Sequence, residues 1–162
     1  MLPLTTPFVV AWAAWQSNRI ARRGSPLSPT EREVAAAVGV SEPERIRVML
    51  VDRIPFPGGG MLDRLALRWG LPGPHVDGLT LGHGIFLRRH AATLRLLAHE
   101  CRHVQQVEEA GSLTRFLADY LRQVARHGYE DAPFEIDARL AAARWASPNR
   151  PELAAVRSPV PD

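Results

Sequence analysis

Residues 97–107 read LAHECRHVQQV. Two histidines, His99 and His103, lie four positions apart, and Glu100 directly follows the first of them. Side chains four positions apart share one face of an α-helix, so the two imidazoles can point at a single metal ion. Glu100 is rotated from His99 by about 100° around the helix, which places it beside such an ion rather than on it. The pattern predicts a zinc site in which Glu100 acts as the general base on a zinc-activated water.

An apolar stripe runs along the helix that we predict from about residue 91 to Gly111. The stripe consists of Leu94, Leu97, Cys101 and Val104. His99, His103 and Gln106 lie on a different face, so the helix can pack one side on the core and present both histidines to a cleft. We expect Gln106 to hydrogen-bond within the wall of that cleft. With six histidines and ten glutamates, random order would produce H-E-x-x-H in about one such chain in a hundred, so its helical context strengthens the metal interpretation.

Length and composition restrict the class of protein. The chain has 162 residues and is 46% hydrophobic, which suits one domain with one core. The net charge of +3 comes from arginines spread along the chain, and we do not expect nucleic-acid binding. A single cysteine cannot form an intrachain disulfide, which favours a reducing compartment. The N-terminal apolar stretch FVVAWAAW predicts neither a signal peptide nor a transmembrane segment, and we expect a cytoplasmic protein, with a non-classical export route left open.

Residues 1–44 predict an N-terminal helical segment. A first helix would begin at residues 6–7 and end near Arg23, and a second would run from about residue 29 to Gly39. The aromatic residues of the first helix recur at helical spacing: Phe8, Trp12 and Trp15. They either dock on the core or form a surface for a partner protein or a membrane.

Two strands and two more helices follow. Residues 45–56, RIRVMLVDRIPF, are rich in β-branched residues and predict a strand ahead of the glycine run at 58–60. Residues 79–87 alternate and predict a second strand, in which Gly82 and Gly84 mark a bulge or a close approach by another backbone. Helices are then predicted from Ser112 to about residue 127 and from Pro133 to about Trp145, before a proline-rich tail at 147–162.

A catalytic zinc site needs a third protein ligand and an open position. Several downstream residues can supply that ligand: His127, Glu130, Asp131, Glu135 and Asp137. The helix at 112–127 lets the chain return antiparallel to the zinc helix, and Glu135 would then lie in the first turn of the next helix. A first-turn glutamate is also favoured by the helix dipole alone. We favour Glu135 as the third ligand, with Asp137 as the second choice.

Three stretches together resemble a known family. HECRHVQQ at 99–106, GLTLGHGIFL at 78–87 and GYEDAPFEIDA at 128–138 are similar to small bacterial zincin-like domains with an HExxHxxQQ active-site helix, close to minimal gluzincin metallopeptidases. The resemblance covers about residues 45–146, which would be the metallopeptidase core of a single structural domain. It implies an α+β fold in which a small antiparallel or mixed sheet with an edge strand packs on the HExxH helix, followed by further helices.

The resemblance also implies the roles of individual residues. Zinc would be held by His99, His103 and Glu135, with Glu100 as base and proton shuttle. The strand at 79–87 would be an edge strand lining the substrate cleft. Its substrate-binding residues would be Leu81, Gly82, His83 and Gly84, although His83 can also be a packed strand histidine.

The oxyanion of a tetrahedral intermediate needs a hydrogen-bond donor about 3 Å away, for which Tyr129 and His127 are the candidates. We therefore expect a zinc-dependent metallopeptidase acting on a peptide or protein substrate. The alternative is a catalytically weak or inactive zincin-fold protein that serves as a partner-binding or accessory module through its N-terminal apolar helix.

Overall fold

The computed structural model of the chain describes residues 6–56 and 76–146, and within them five helices and four strands form an α+β fold. The helices are α1 Thr6–Arg23, α2 Pro29–Ala37, α3 Leu94–Ala110, α4 Leu113–His127 and α5 Pro133–Trp145. The strands are β1 Ser25–Pro26, β2 Arg47–Val51, β3 Gly78–Leu81 and β4 Gly84–Arg88. The glycine run at 58–60 and the proline-rich tail at 147–162 lie outside the described residues.

The predicted helices are present, and capping residues set the ends of the two that matter most. Thr93 lies outside α3, and its hydroxyl oxygen accepts a hydrogen bond of 3.1 Å from the Leu96 N–H. Gly111 ends α3, and Ser112 then caps α4 by accepting 3.2 Å from the Arg115 N–H. Because one residue ends a helix and the next caps another, the chain turns a tight corner between them.

The strands form one mixed sheet in the order β1-β2-β4-β3. β2 pairs parallel with β4, while β1 and β3 pair antiparallel with β2 and β4 respectively. β1 falls in the GSPLSP stretch, where no strand was expected. Two residues are too few to show the alternation typical of a strand. Only the pairing with β2 identifies them as one.

The single strand predicted at 79–87 is wrong, because the structure has a hairpin there. Gly82, with φ of 69°, and His83 form the turn between β3 and β4. The cross-strand pairs include Thr80 with Ile85 and Leu79 with Phe86, and paired residues share a face of the sheet. Leu79 and Ile85 therefore lie on opposite faces, although the sequence alternation suggests that they share one. Of the two hairpin strands, only β3 is an edge strand of the described sheet.

β4 is covered by helices on both faces. Ile85 and Leu87 belong to the apolar core with α2 and α3, whereas Phe86 belongs to a second apolar cluster with α1. A Cβ atom at Gly84 would lie 2.9 Å from the Ile20 side chain of α1. The close approach at this glycine is therefore made by the Ile20 side chain of α1, and not by another backbone as the sequence suggested.

The aromatic residues of α1 divide between core and surface. Trp12 packs against the cluster beneath α1, while Phe8 and Trp15 are 56% and 61% exposed. Among the described residues, no helix combines the length and the apolar character that crossing a membrane requires.

Candidate metal centre

Two turns of α3 and the first turn of α5 bring three ligand-type side chains together. The Nε2 atoms of His99 and His103 are 3.2 Å apart. Glu135 lies opposite them, with Oε2 3.3 Å from His99 Nε2 and Oε1 3.3 Å from His103 Nε2. The three residues named as ligands from the sequence thus converge on one point and form a group that could hold a metal ion.

Side chains from α3 hold the start of α5 in place. Gln106 Nε2 donates to the Phe134 carbonyl at 3.1 Å and to Asp137 Oδ2 at 2.8 Å. Arg102 donates to both carboxylate oxygens of Asp137, at 2.7 and 3.1 Å. Asp137, the second choice for the third ligand, is therefore engaged in joining the two helices, and Glu135 is the residue turned towards the histidines.

The spacing of the donor atoms suits zinc. A tetrahedral zinc ion with bonds of about 2.0–2.2 Å keeps its ligand atoms about 3.3–3.6 Å apart, close to the 3.2–3.3 Å observed. Glu135 is only 2% exposed, and its Oε2 atom is buried without a hydrogen-bond partner among the described residues. A buried, unpartnered carboxylate oxygen is costly, and a cation beside it would remove that cost.

The hydrogen bond to Gln106 determines which nitrogen of His103 is free. Gln106 Nε2 donates its two hydrogen bonds to acceptors on α5. The other amide atom, Oε1, is therefore the acceptor that lies 2.8 Å from His103 Nδ1. His103 Nδ1 therefore carries a proton, and in the neutral ring Nε2 presents its lone pair to Glu135. Without a proton or a metal ion between them, His103 Nε2 and Glu135 Oε1 would be two hydrogen-bond acceptors facing each other at 3.3 Å.

The charges in the cluster shift its pKa values in opposite directions. Burial alone would lower the pKa of His103, but the Glu135 contact and the Glu100 charge raise it above its ordinary 6.5. Burial alone would raise the pKa of Glu135, but the adjacent His103 and His99 hold it well below its usual range. Without metal, the cluster is therefore a proton-binding site, and a metal ion has to displace that proton.

We expect zinc affinity to rise between about pH 6 and about pH 8. The raised pKa of His103 keeps its proton bound at the lower pH, where it competes with the metal. A competition titration against a chromophoric chelator measures the affinity, and calorimetry in buffers of different ionisation enthalpy measures the proton released. The His90→Ala variant is the control, since the His90 side chain is 63% exposed and lies outside the cluster. A pH-independent affinity without proton release would contradict this account.

The side chain of Glu100, on α3, is buried against the edge strand β3. Its Oε2 atom accepts a 2.7 Å hydrogen bond from the Thr80 hydroxyl, and a Cβ at Gly78 would lie 2.3 Å from its Oε1 atom. Because Gly78 has no side chain, the Glu100 carboxyl group has room at this place. Burial raises the pKa of Glu100, and the charges of His99 and His103 oppose this only in part. A carboxyl group with a raised pKa is suited to take up and return a proton near neutral pH.

Tyr120 is a site residue that the sequence did not indicate. Its hydroxyl donates a 2.7 Å hydrogen bond to Glu135 Oε1, and its ring meets that of His103 edge to face at 6.1 Å between centroids. Burial and the Glu135 charge raise the pKa of Tyr120 well above its usual value, so the hydroxyl stays protonated. In the sequence Tyr120 is one more member of the apolar stripe of α4, and a spacing of 15 residues to Glu135 carries no local signal.

The two oxyanion candidates have different surroundings. Tyr129 is half-buried, and burial together with the charges of Glu135 and Glu100 raises its pKa. Its hydroxyl therefore lies within the electrostatic reach of both site carboxylates. His127 is exposed at the last residue of α4. Tyr129 is the better placed of the two.

The four residues expected to bind substrate lie at the hairpin turn, away from the cluster. Leu81 is 2% exposed and its carbonyl accepts 2.9 Å from the Ser17 hydroxyl of α1, while Gly84 is covered by α1. His83 Nε2 lies 3.0 Å from Glu108 Oε1. Glu108 is eight residues, or about 12 Å, beyond Glu100 along α3. Gly82 forms the turn. Whether Leu81–Gly84 bind substrate stays a prediction; residues 78–80, at the other end of β3, are the part of the edge strand beside Glu100.

A second group of ligand-type residues consists of Glu42, His83 and Glu108. Glu108 already accepts hydrogen bonds from the backbone N–H groups of Ser41, at 2.8 Å, and of Glu42, at 3.3 Å. Together with the His83 contact to Glu108, these bonds join the segment before β2, the hairpin turn and α3. We interpret the group as a structural connection.

No family model, curated protein or solved structure matches the chain. The geometry of the site therefore carries the functional argument.

Proposed function

We propose that this protein is a zinc-dependent metallopeptidase of the zincin-like, minimal gluzincin type. The observation that carries the proposal is the convergence of three donor groups, on the partly buried His99 and the buried His103 and Glu135, at zinc-ligand spacing around a carboxylate oxygen without a hydrogen-bond partner among the described residues. These residues would hold the ion, which when bound supplies a Lewis acid that polarises the peptide carbonyl and activates water.

Glu100 is the base in this proposal. It takes a proton from the attacking water and returns it to the amine that leaves. Its support is its position beside the cluster, its raised pKa and the Thr80 hydrogen bond that fixes the carboxyl group. Tyr129 donates its phenolic proton as a hydrogen bond to the developing oxyanion, and its raised pKa keeps that proton available at neutral pH.

The edge of the sheet supports a peptide as the substrate. Among the described residues, β3 pairs with β4 on one side only. Its other edge offers backbone donors and acceptors to which an extended peptide can add as a further strand. Gly78 and Thr80 both contact Glu100, so a peptide paired with β3 would run past the base.

A partner-binding module is the second candidate function. Phe8 and Trp15 lie seven residues apart on one face of α1 and are each more than half exposed. Exposed aromatic residues of this kind are typical anchors of protein interfaces. In this case the zinc-loaded protein would form a stable complex without hydrolysing peptides, and the Phe8→Ala and Trp15→Ala variants would lose the complex.

Metal removal tests the first candidate. We expect the purified protein to retain stoichiometric zinc through dialysis and to hydrolyse members of a broad peptide library. A strong chelator should abolish hydrolysis, and added zinc should restore it, because the ligand set is complete without another chain. A protein that takes up no zinc would overturn the proposal, whereas zinc uptake without hydrolysis would favour the second candidate.

A further inference from the structure

The Tyr120 hydroxyl divides the two oxygens of Glu135 into different environments. Each oxygen lies 3.3 Å from one histidine nitrogen, Oε1 from His103 Nε2 and Oε2 from His99 Nε2, but only Oε1 receives the 2.7 Å hydrogen bond from Tyr120. Oε2 is buried without a hydrogen-bond partner among the described residues, although His99 Nε2 approaches it to 3.3 Å. A carboxylate can bind a metal ion through one oxygen or through both. At Glu135 one oxygen is engaged and the other is free.

We propose that Tyr120 is a positioning residue that makes Glu135 a one-oxygen metal ligand through Oε2. This rests on the proposed metal site. Engaging Oε1 in a hydrogen bond would leave a bound metal ion with three protein ligands and an open position for water and substrate. Without the hydroxyl, Glu135 is free to bind through both oxygens and to fill part of that position.

The surroundings of Tyr120 hold the hydroxyl at this place. The ring packs against His103 and Phe116, with centroid distances of 6.1 and 5.7 Å. Gln123, on the same helix, accepts a 2.9 Å hydrogen bond from the Phe134 N–H, directly before Glu135. α4 is thereby joined to the first turn of α5 at two points, so the tyrosine and the glutamate keep their relative position.

The Tyr120→Phe variant tests the proposal, because it removes the hydroxyl and keeps the ring. We expect zinc affinity to fall about 10- to 100-fold, as is typical when a partner of a ligand is lost. With cobalt in place of zinc, we expect a weaker visible absorption, which marks a higher coordination number. The Tyr129→Phe variant is the matched control, since it removes the other tyrosine hydroxyl of the chain; it should keep the zinc affinity and the cobalt spectrum of the wild type.

A double-mutant cycle shows whether Tyr120 acts through Glu135. In a Glu135→Gln background, where the two remaining histidines bind zinc too weakly to survive dialysis but measurably in a titration, adding Tyr120→Phe should change zinc affinity by less than about threefold, because the charged carboxylate on which the hydroxyl acts is gone. Independent, additive effects would overturn the proposal, as would a Tyr120→Phe variant with wild-type affinity and cobalt spectrum. A wild-type protein that binds neither zinc nor cobalt would instead refute the metal site itself.

A spectroscopic measurement covers the case in which Tyr120→Phe does not fold. The chain has two tyrosines, so Tyr129→Phe protein grown with fluorotyrosine carries one fluorine-labelled phenol, at Tyr120. We expect its fluorine resonance to move when zinc is added, because the metal changes the charge on Glu135. A resonance that zinc does not move would overturn the role of Tyr120.

Discussion

The Glu100→Gln variant is expected to bind zinc as the wild type does and to lose peptide hydrolysis, with kcat lower by about 10²- to 10⁴-fold. The amide occupies the same space and can still accept the Thr80 hydrogen bond, so the buried position between α3 and β3 is kept. What the amide cannot do is take a proton from water. Zinc content after dialysis and steady-state kinetics on a peptide that the wild type cleaves are the measurements.

A second glutamate on the same helix provides the control for this variant. Glu109 is exposed near the end of α3, and Glu109→Gln makes the same chemical change outside the cluster. It should retain zinc and activity. If Glu100→Gln hydrolysed peptides at the wild-type rate, Glu100 would not be the base, even with zinc bound at the three ligands.

The His103→Ala variant is expected to lose stoichiometric zinc and also to destabilise the metal-free protein. His103 is 6% exposed and is the imidazole that faces both Gln106 and Glu135. Its removal leaves the buried Glu135 carboxylate without a main charge partner, which costs about 3–5 kcal/mol of unfolding free energy for a buried pair. Metal analysis and denaturant unfolding in the presence of a chelator measure the two effects.

The Glu135→Gln variant separates the metal effect from the charge effect. It should also lose zinc, because the charged ligand is gone. Its metal-free form should be destabilised less than that of His103→Ala, since the substitution removes the buried charge itself rather than its partner. Equal destabilisation of the two variants would contradict the charge account of the cluster, and stoichiometric zinc in either would contradict the ligand assignment.

Local patterns were sufficient wherever one helix carries the information. The spacing of His99 and His103, and the apolar stripe on another face of α3, predicted which residues share a face. Pro133 and Ser112 predicted where α5 and α4 begin. These features depend on helix periodicity and on capping groups a few residues away, so they can be predicted from the sequence.

Local patterns misled where the chain reverses. Leu79 and Ile85 have the spacing of a single strand, but the turn at Gly82 places them on opposite faces. The residues expected to bind substrate, Leu81–Gly84, lie at this turn, away from the three candidate metal ligands, and their role stays a prediction. A strand with two interior glycines and a two-residue hairpin leave nearly the same pattern, and only the pairing partner distinguishes them.

By itself, the sequence determined the helix face that carries His99 and His103, the glutamate next to it and a short set of candidates for a third ligand. The tertiary structure placed Glu135 of that set beside the histidines, engaged Asp137 with Arg102 and Gln106, and added Tyr120 and Gly78 to the site. The physical reason is that contacts between helices depend on how α3, α4 and α5 pack, and on how β3 lies along α3. Those arrangements follow from burying the whole apolar core, to which residues far apart in the sequence contribute together.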